Sequence, residues 1–314
     1  MEGKLIMLTD FEEFKSYPTL EEIDKWVDSI WQMANSIKCE VEVLSDSGFT
    51  NSLGVRHVKN EFSYVRFKPE GMDEFYGYWQ PVMSAPAPLL VHTPGYGAEI
   101  SFHPDLVSLG YNVLHISPLG YTTPKGSDKS KIRNNTWPVL SDTITSCAEK
   151  GYKEWLVNCI LAIRWAMSQS EVIENRISFF GTSQGGGGSL LLGSIFKDKG
   201  VRCVAADVPF LTGLPISKAL KAYSFEFEPL SSIDKAKNGW RALGFVDTIS
   251  HTKRLTCPVL LTAGGKDNIC PAEAVESLFK LLPATRSYNY FHNLEHRASR
   301  EFINLVSAWF RMYA

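Results

Sequence analysis

The stretch Gly181-Thr182-Ser183-Gln184-Gly185 carries the most chemistry in this sequence. It follows the apolar run Ile177-Ser178-Phe179-Phe180 and leads through Gly186-Gly187-Gly188 into Ser189-Leu190-Leu191-Leu192. G-x-S-x-G between an apolar strand and an apolar helix puts the serine on a sharp turn that lifts its hydroxyl clear of a sheet. Small residues two before and two after the serine are needed because the chain passes close to itself there. The helix N-terminus beyond it favours negative charge. No Lys-Ser/Thr pair follows these glycines, so they do not form a P-loop. Gly95-Tyr96-Gly97-Ala98-Glu99-Ile100 departs from the dinucleotide fingerprint at its last position.

A serine hydroxyl needs a base to take its proton near neutral pH. With this turn the partners follow in the order Ser, Asp/Glu, His. The acid is expected just after a core strand. Asp267, in Gly264-Gly265-Lys266-Asp267-Asn268 after the run Pro258 to Thr262, is the first choice. Asp207, at the end of the preceding strand, is the alternative, with a loop-organising hydrogen bond as its expected role. The histidine is expected after the last strand. His292 and His296 both qualify, and His296, just before the closing helix, is preferred as base. His292 is read as structural.

His292-x-x-Glu295-His296 also spells a zinc pattern. That pattern needs both histidines on one helical face, and here it lies between a β run and a helix with Asn293 in the middle. The zinc reading is therefore set aside, and no metal or cofactor is expected at this site. A tetrahedral intermediate needs two backbone N–H donors. Gln184, next to the serine, is one, and Tyr96, in the loop after the Leu89 to His92 strand, is the other, with its ring available to wall an acyl pocket. His92 and His115 read as packed core histidines.

These residues need a frame. Leu89 to His92, Val113 to Ile116, Ile177 to Phe180, Val201 to Ala206, Pro258 to Thr262 and Ser287 to Phe291 read as buried strands. Between them fall helices with Trp155, Leu156, Cys159, Ile160, Ile163 and Met167 on one face, and with Val275, Leu278, Phe279 and Leu282 inward. Phe302, Val306, Trp309 and Phe310 mark a closing helix. Alternation of this kind predicts a mostly parallel sheet covered on both faces, with ligands at the carboxyl ends of its strands. Before it, Thr19-Leu20-Glu21-Glu22 caps a helix to about Ile37, and Ser63 to Phe67 with Phe75 to Trp79 forms a strand pair turned at Gly71. Residues 1–314 are expected to be one domain, with 1–80 packed on it. Tyr121 to Lys150 reads as polar and irregular. Residues 210–255 read as an insertion between late core strands, a lid or binding loop.

Composition narrows the field. In 314 residues, 32 Lys+Arg against 34 Asp+Glu leave a net charge of -2, which argues against nucleic acid or a membrane surface as partner. Hydrophobic residues at 44% and charged residues at 21% are those of a globular chain. The six cysteines show no C-x-x-C spacing. Cys159, Cys203 and Cys257 read as small core residues. The N-terminus turns acidic before an apolar segment develops, so a cytoplasmic location is expected.

Gly181-Thr182-Ser183-Gln184-Gly185-Gly186-Gly187 resembles the G-x-S-Q-G-G-G elbow of the acetyl xylan esterase and cephalosporin-C deacetylase family, carbohydrate esterase family seven of the α/β-hydrolase superfamily. Asp207-Val208-Pro209-Phe210 resembles its D-x-P-F segment. Cys257-Pro258-Val259-Leu260, followed by Gly264 to Pro271, is similar to its C-P-V-L…G-x-x-D-x-x-C-P-P segment. The resemblance implies an α/β-hydrolase fold. It implies Ser183, Asp267 and His296 as the catalytic residues and Tyr96 and Gln184 as oxyanion donors. Tyr96, Pro209 and Phe210 are the expected substrate-binding residues. It further implies removal of short acyl groups, acetyl above all, from small esters such as acetylated oligosaccharides, without metal or organic cofactor. Homo-oligomers are frequent among such enzymes and are a further expectation.

The sequence departs from the family at Pro118-Leu119-Gly120-Tyr121, where the family has R-G-Q-G, at His296-Arg297, where it has H-E, and at Ala272, where it has a second proline. These departures bear on substrate preference and assembly and leave the Ser-Asp-His set intact. The alternatives are a feruloyl or other aryl esterase, with Tyr223, Phe225, Phe227 and Trp240 as stacking aromatics, a peptidase, or a non-catalytic scaffold on the same fold.

Overall fold

The computed structural model describes residues 8–44, 62–83, 86–96, 103–222, 227, 230 and 233–314. Helix α1 (Leu20–Ser36) starts at a complete capping box: the Thr19 hydroxyl accepts from the Glu22 N–H, and the Glu22 carboxylate accepts from the Thr19 N–H. Such a cap contributes about 1 kcal/mol. Its apolar stripe, Ile23, Trp26, Val27, Ile30 and Ala34, is buried. Full burial of a large apolar side chain is worth about 1.5–3 kcal/mol. The indole N–H groups of Trp26 and Trp31 donate to the Ala148 and Ile195 carbonyls, so α1 is docked by direction as well as by area.

Strands β1 (Cys39–Leu44), β2 (Ser63–Pro69) and β3 (Phe75–Gln80) form an antiparallel meander. Gly71, at φ +78°, makes the turn between β2 and β3. The chain then alternates. Strand β4 (Ala87–Thr93), helix α2 (Pro104–Ser108) and strand β5 (Asn112–Ser117) are followed by a two-residue ribbon, β6 (Thr122–Thr123) with β7 (Gly126–Ser127). Helices α3 (Val139–Thr145) and α4 (Tyr152–Met167) lead to β8 (Val172–Thr182), α5 (Gln184–Ile195) and β9 (Val201–Asp207). Helices α6 (Leu214–Ala219) and α7 (Ile233–Val246) precede β10 (Val259–Gly264), α8 (Ala272–Leu281), β11 (Arg286–Phe291) and α9 (Arg300–Tyr313).

Among the described residues the large sheet has nine strands, in the order β1-β2-β3-β5-β4-β8-β9-β10-β11. It is parallel from β5 to β11. Alternate side chains go to opposite faces, as strand geometry requires. Leu89, Val91, Phe179, Val204, Ala206, Leu261 and Ala263 join the main core with α1, α4, α5 and α8. Leu90, Phe180, Cys203, Ala205 and Leu260 join a second core with α2 and α9. Cys159 and Cys203 are fully buried, whereas Cys257 is only partly so.

The register brings the strand ends into one row: Thr93 lies beside Gly181, Thr182 beside Asp207, Asp207 beside Thr262, and Gly264 beside Phe291. Every chemistry-bearing loop leaves from this edge. Two stretches differ from the sequence expectation. Residues 121–150, read as irregular, contain α3, and the meander has an additional strand, β1. Of the insertion at 210–255, Leu211, Leu214, Trp240, Leu243, Val246, Ile249 and Leu255 pack into the main core.

Candidate active site

Ser183 sits between β8 and α5 at φ 59°, ψ −121°, a backbone conformation that a non-glycine residue adopts only when its surroundings enforce it. Three backbone hydrogen bonds do so. The Ser183 N–H donates to the Asp207 carbonyl at 2.9 Å, and the Ser183 carbonyl accepts from Gly187 at 3.0 Å and Phe210 at 2.9 Å. The flanking glycines are there for space. A Cβ on Gly181 would lie 2.6 Å from the Gly185 backbone, and one on Gly185 would lie 2.1 Å from the Thr93 carbonyl oxygen.

His296, in the turn between β11 and α9, puts Nε2 2.9 Å from Ser183 Oγ and Nδ1 2.9 Å from Asp267 Oδ2. With Nδ1–H donated to the carboxylate, Nε2 is left as acceptor for the serine proton. The Asp267 carboxylate is fully enclosed and its other oxygen accepts from the Ile269 and Cys270 N–H groups at 2.8 and 2.7 Å. Asp267 is thus held as the rigid end of the chain Asp267–His296–Ser183. The sulfur of Cys270 shares this corner with Asp267 and His296.

Asp207 is not in that chain. Its carboxylate accepts from the hydroxyls of Thr182 at 2.9 Å and Thr262 at 2.5 Å, tying β8, β9 and β10 together beneath the serine. Burial holds its pKa up at about 6 against those two hydrogen bonds. His292 and Glu295 are exposed in the turn after β11, and that turn is not helical. Among the described residues they belong to no cluster of metal-ligating groups.

Gln184 is the first residue of α5, where backbone N–H groups have no intrahelical partner. Its side chain is buried and accepts from the Tyr152 hydroxyl at 2.9 Å. Tyr96 lies beyond the end of β4, partly exposed. Its hydroxyl donates to the Trp137 carbonyl at 2.6 Å and contacts Thr136. The Trp137 ring stacks on Tyr121, centroids 4.4 Å apart, and Tyr121 lines a cavity of about 440 Å³ with Lys131, Arg133, Asp142, Glu154 and Asn158. Pro209 is buried and the Phe210 side chain packs into the main core, so this segment meets the elbow through its backbone. Phe227 and Trp240 are buried against each other, 5.5 Å between centroids, whereas Tyr223 and Phe225 lie outside the described residues.

The sequence reading missed Thr93 and Tyr152. Thr93 Oγ1 donates to the Gly185 carbonyl at 2.7 Å and lies 2.9 Å from Ser189 Oγ, which fastens the end of β4 to the elbow helix. Its position immediately before Pro94-Gly95 was the available signal. Tyr152 had none, since its partner is 32 residues away.

A sheet of this topology with a serine at its carboxyl edge, facing a histidine and a buried carboxylate, defines a serine-type carboxylic ester hydrolase of α/β-hydrolase fold. The family model for acetyl xylan esterase (AXE1) matches residues 6–312, and the chain belongs to that family. No curated protein matches it by sequence. Among solved structures, the acetyl xylan esterase 1 from Thermoanaerobacterium sp. JW/SL YS485 is similar, with TM-score 0.75 and 18% identity over 96% of this chain and 97% of that one. The acetyl xylan esterase from Paenibacillus sp. R4 has TM-score 0.73 and 18% identity over 98% and 100%. Est1E from Butyrivibrio proteoclasticus with ferulic acid bound has TM-score 0.54 and 17% identity over 76% and 93%. At these identities the structural likeness bears on the fold.

Proposed function

We propose that the protein removes acetyl groups from acetylated xylo-oligosaccharides through an acyl-enzyme on Ser183. The observation that carries this is the unbroken hydrogen-bonded chain from Asp267 through His296 to Ser183 Oγ. His296 Nε2 takes the Ser183 proton as Oγ attacks the ester carbonyl carbon. The oxyanion is met by the N–H groups of Gln184 and Tyr96. His296 then gives its proton to the departing sugar oxygen, leaving acetyl on Ser183. Water repeats the sequence with His296 as base, and acetate leaves. Asp267 keeps the imidazole in the required tautomer and stabilises its protonated form.

For the acyl side we assign the backbone at Pro209 and Phe210, the Phe210 N–H being bound to the Ser183 carbonyl, together with the Tyr96 ring. For the alcohol side we assign the 440 Å³ cavity lined by Tyr121, whose carboxylates, cations and amide suit sugar hydroxyls and whose size is that of a small-molecule site. The test is acetate release from acetylated xylo-oligosaccharides beside hydrolysis of methyl ferulate. The account expects the acetylated sugar to be turned over with the higher kcat/KM. A preference for the ferulate would place the protein with the aryl esterases.

A further inference from the structure

On the far face of the sheet from the elbow helix, three imidazoles meet. His92 of β4 and His115 of β5 are register partners on adjacent parallel strands, so both point into the second core. Their Nδ1 atoms are 2.6 Å apart. His103, the residue before α2, packs against His92 with ring centroids 4.3 Å apart and planes tilted by 57°, and the Phe180 ring closes the group. One nitrogen from each of the three rings lies within 4.8 Å of the others.

We propose that His92, His103 and His115 form a binding site for one transition-metal ion, Zn²⁺ or a similar divalent cation, that staples the two ends of the oxyanion loop.

Hydrogen bonding within the cluster does not satisfy it. The contact between His92 and His115 uses one proton and one lone pair, yet His103 Nε2 and His115 Nε2 are enclosed with no hydrogen-bond partner. Neutral imidazole is the form that ligates metals. An all-nitrogen set selects Zn²⁺ and its neighbours over Ca²⁺ or Mg²⁺, and three histidines leave a fourth position for water. Nitrogens sharing one tetrahedral Zn²⁺ stand about 3.3 Å apart, so the close His92–His115 pair must open by less than about 1 Å.

The consequence follows from chain order. His92 is the penultimate residue of β4 and His103 immediately precedes α2. The segment between them carries Tyr96. A metal held by both residues cross-links positions 92 and 103, which bracket Tyr96, as metal clips do.

The test uses the full chain, stripped with a chelator and titrated with Co²⁺ alone, read by visible absorption and by thermal unfolding. The expected result is an intense tetrahedral Co²⁺ band saturating at about one equivalent per chain, with Tm raised by about 5 °C. His103→Ala and His115→Phe should lose both responses, and His292→Ala should keep them. His103→Ala changes a half-buried position and serves if the core variant does not fold. Absence of a band and of a Tm shift in the wild-type chain overturns the proposal. So does a band that His103→Ala retains or that His292→Ala abolishes.

Discussion

Thr93 Oγ1 donates to the carbonyl oxygen of Gly185 across 2.7 Å, joining the end of β4, which leads to Tyr96, to the helix that follows the serine. The two proposed oxyanion donors, Tyr96 and Gln184, flank this bond, which ties their two segments together through one buried hydroxyl. Thr93→Val keeps the shape and removes that bond. The expected outcome is a fall of about tenfold or more in kcat, because small misplacements of reacting groups are costly. KM for p-nitrophenyl acetate should stay within about twofold of its wild-type value if the bond acts on the transition state alone. An unchanged kcat would detach Thr93 from the oxyanion hole.

Asp207 makes the stability of the fold depend on pH in a defined direction. Its pKa is about 6 in the folded chain against an ordinary value of 3.8, so between those values the folded state binds more protons than the unfolded one. Its contribution to stability is complete below about pH 4, falls as pH rises, and is lost above about pH 6. The amount is roughly 3 kcal/mol. Asp207→Asn removes the dependence. Urea unfolding at pH 4 and pH 7 should show the variant gaining on the wild type by that order. A difference that is the same at both pH values would contradict this.

Asp247 fastens the segment after β9 to the N-terminal residues. One carboxylate oxygen accepts from the N–H groups of Gly213 and Ile249, and the other from the Leu214 N–H and the Tyr17 hydroxyl. Asp247→Ala leaves those buried donors unpaired and should cost about 3 kcal/mol or more. Tyr17→Phe should cost about 1 kcal/mol. Denaturant midpoints measured on both give the comparison, and equal losses would show that the carboxylate does not organise the segment.

Glu154 lines the cavity beyond Tyr121 without touching the serine, histidine or aspartate of the site. If sugar hydroxyls sit there, Glu154→Gln raises KM for acetylated xylo-oligosaccharides by about threefold or more, the scale of one hydrogen bond. The rate with p-nitrophenyl acetate, which has no sugar, should not move. Equal effects on both substrates would remove the cavity from the substrate path.

The legible parts of the sequence were those where one local signal sufficed. Strands such as Leu89 to His92 and Pro258 to Thr262 were continuous apolar runs, as strands covered on both faces must be. The elbow showed itself because close approach demanded glycine at 181 and 185. Asp267 and His296 followed from chain order once the strands were placed. Strand β1 (Cys-Glu-Val-Glu-Val-Leu) was overlooked because it is a half-exposed edge strand with glutamate at every second position. Helix α3 (Val-Leu-Ser-Asp-Thr-Ile-Thr) hid in β-branched and polar residues of weak helix propensity, and packing against α4 and α7 outweighs that. The histidine cluster was the deepest omission. His92 and His115 each read as an isolated core residue, and only the register of β4 against β5 sets them side by side.

The central claim is that Ser183 carries the acyl group, and p-nitrophenol release from the acetate, butyrate and octanoate esters by the wild type and Ser183→Ala tests it most directly. The account predicts rapid turnover of acetate, a decline with acyl length, and loss of at least about a thousandfold in kcat in the variant. Turnover that persists in Ser183→Ala, or that rises toward octanoate, would contradict it.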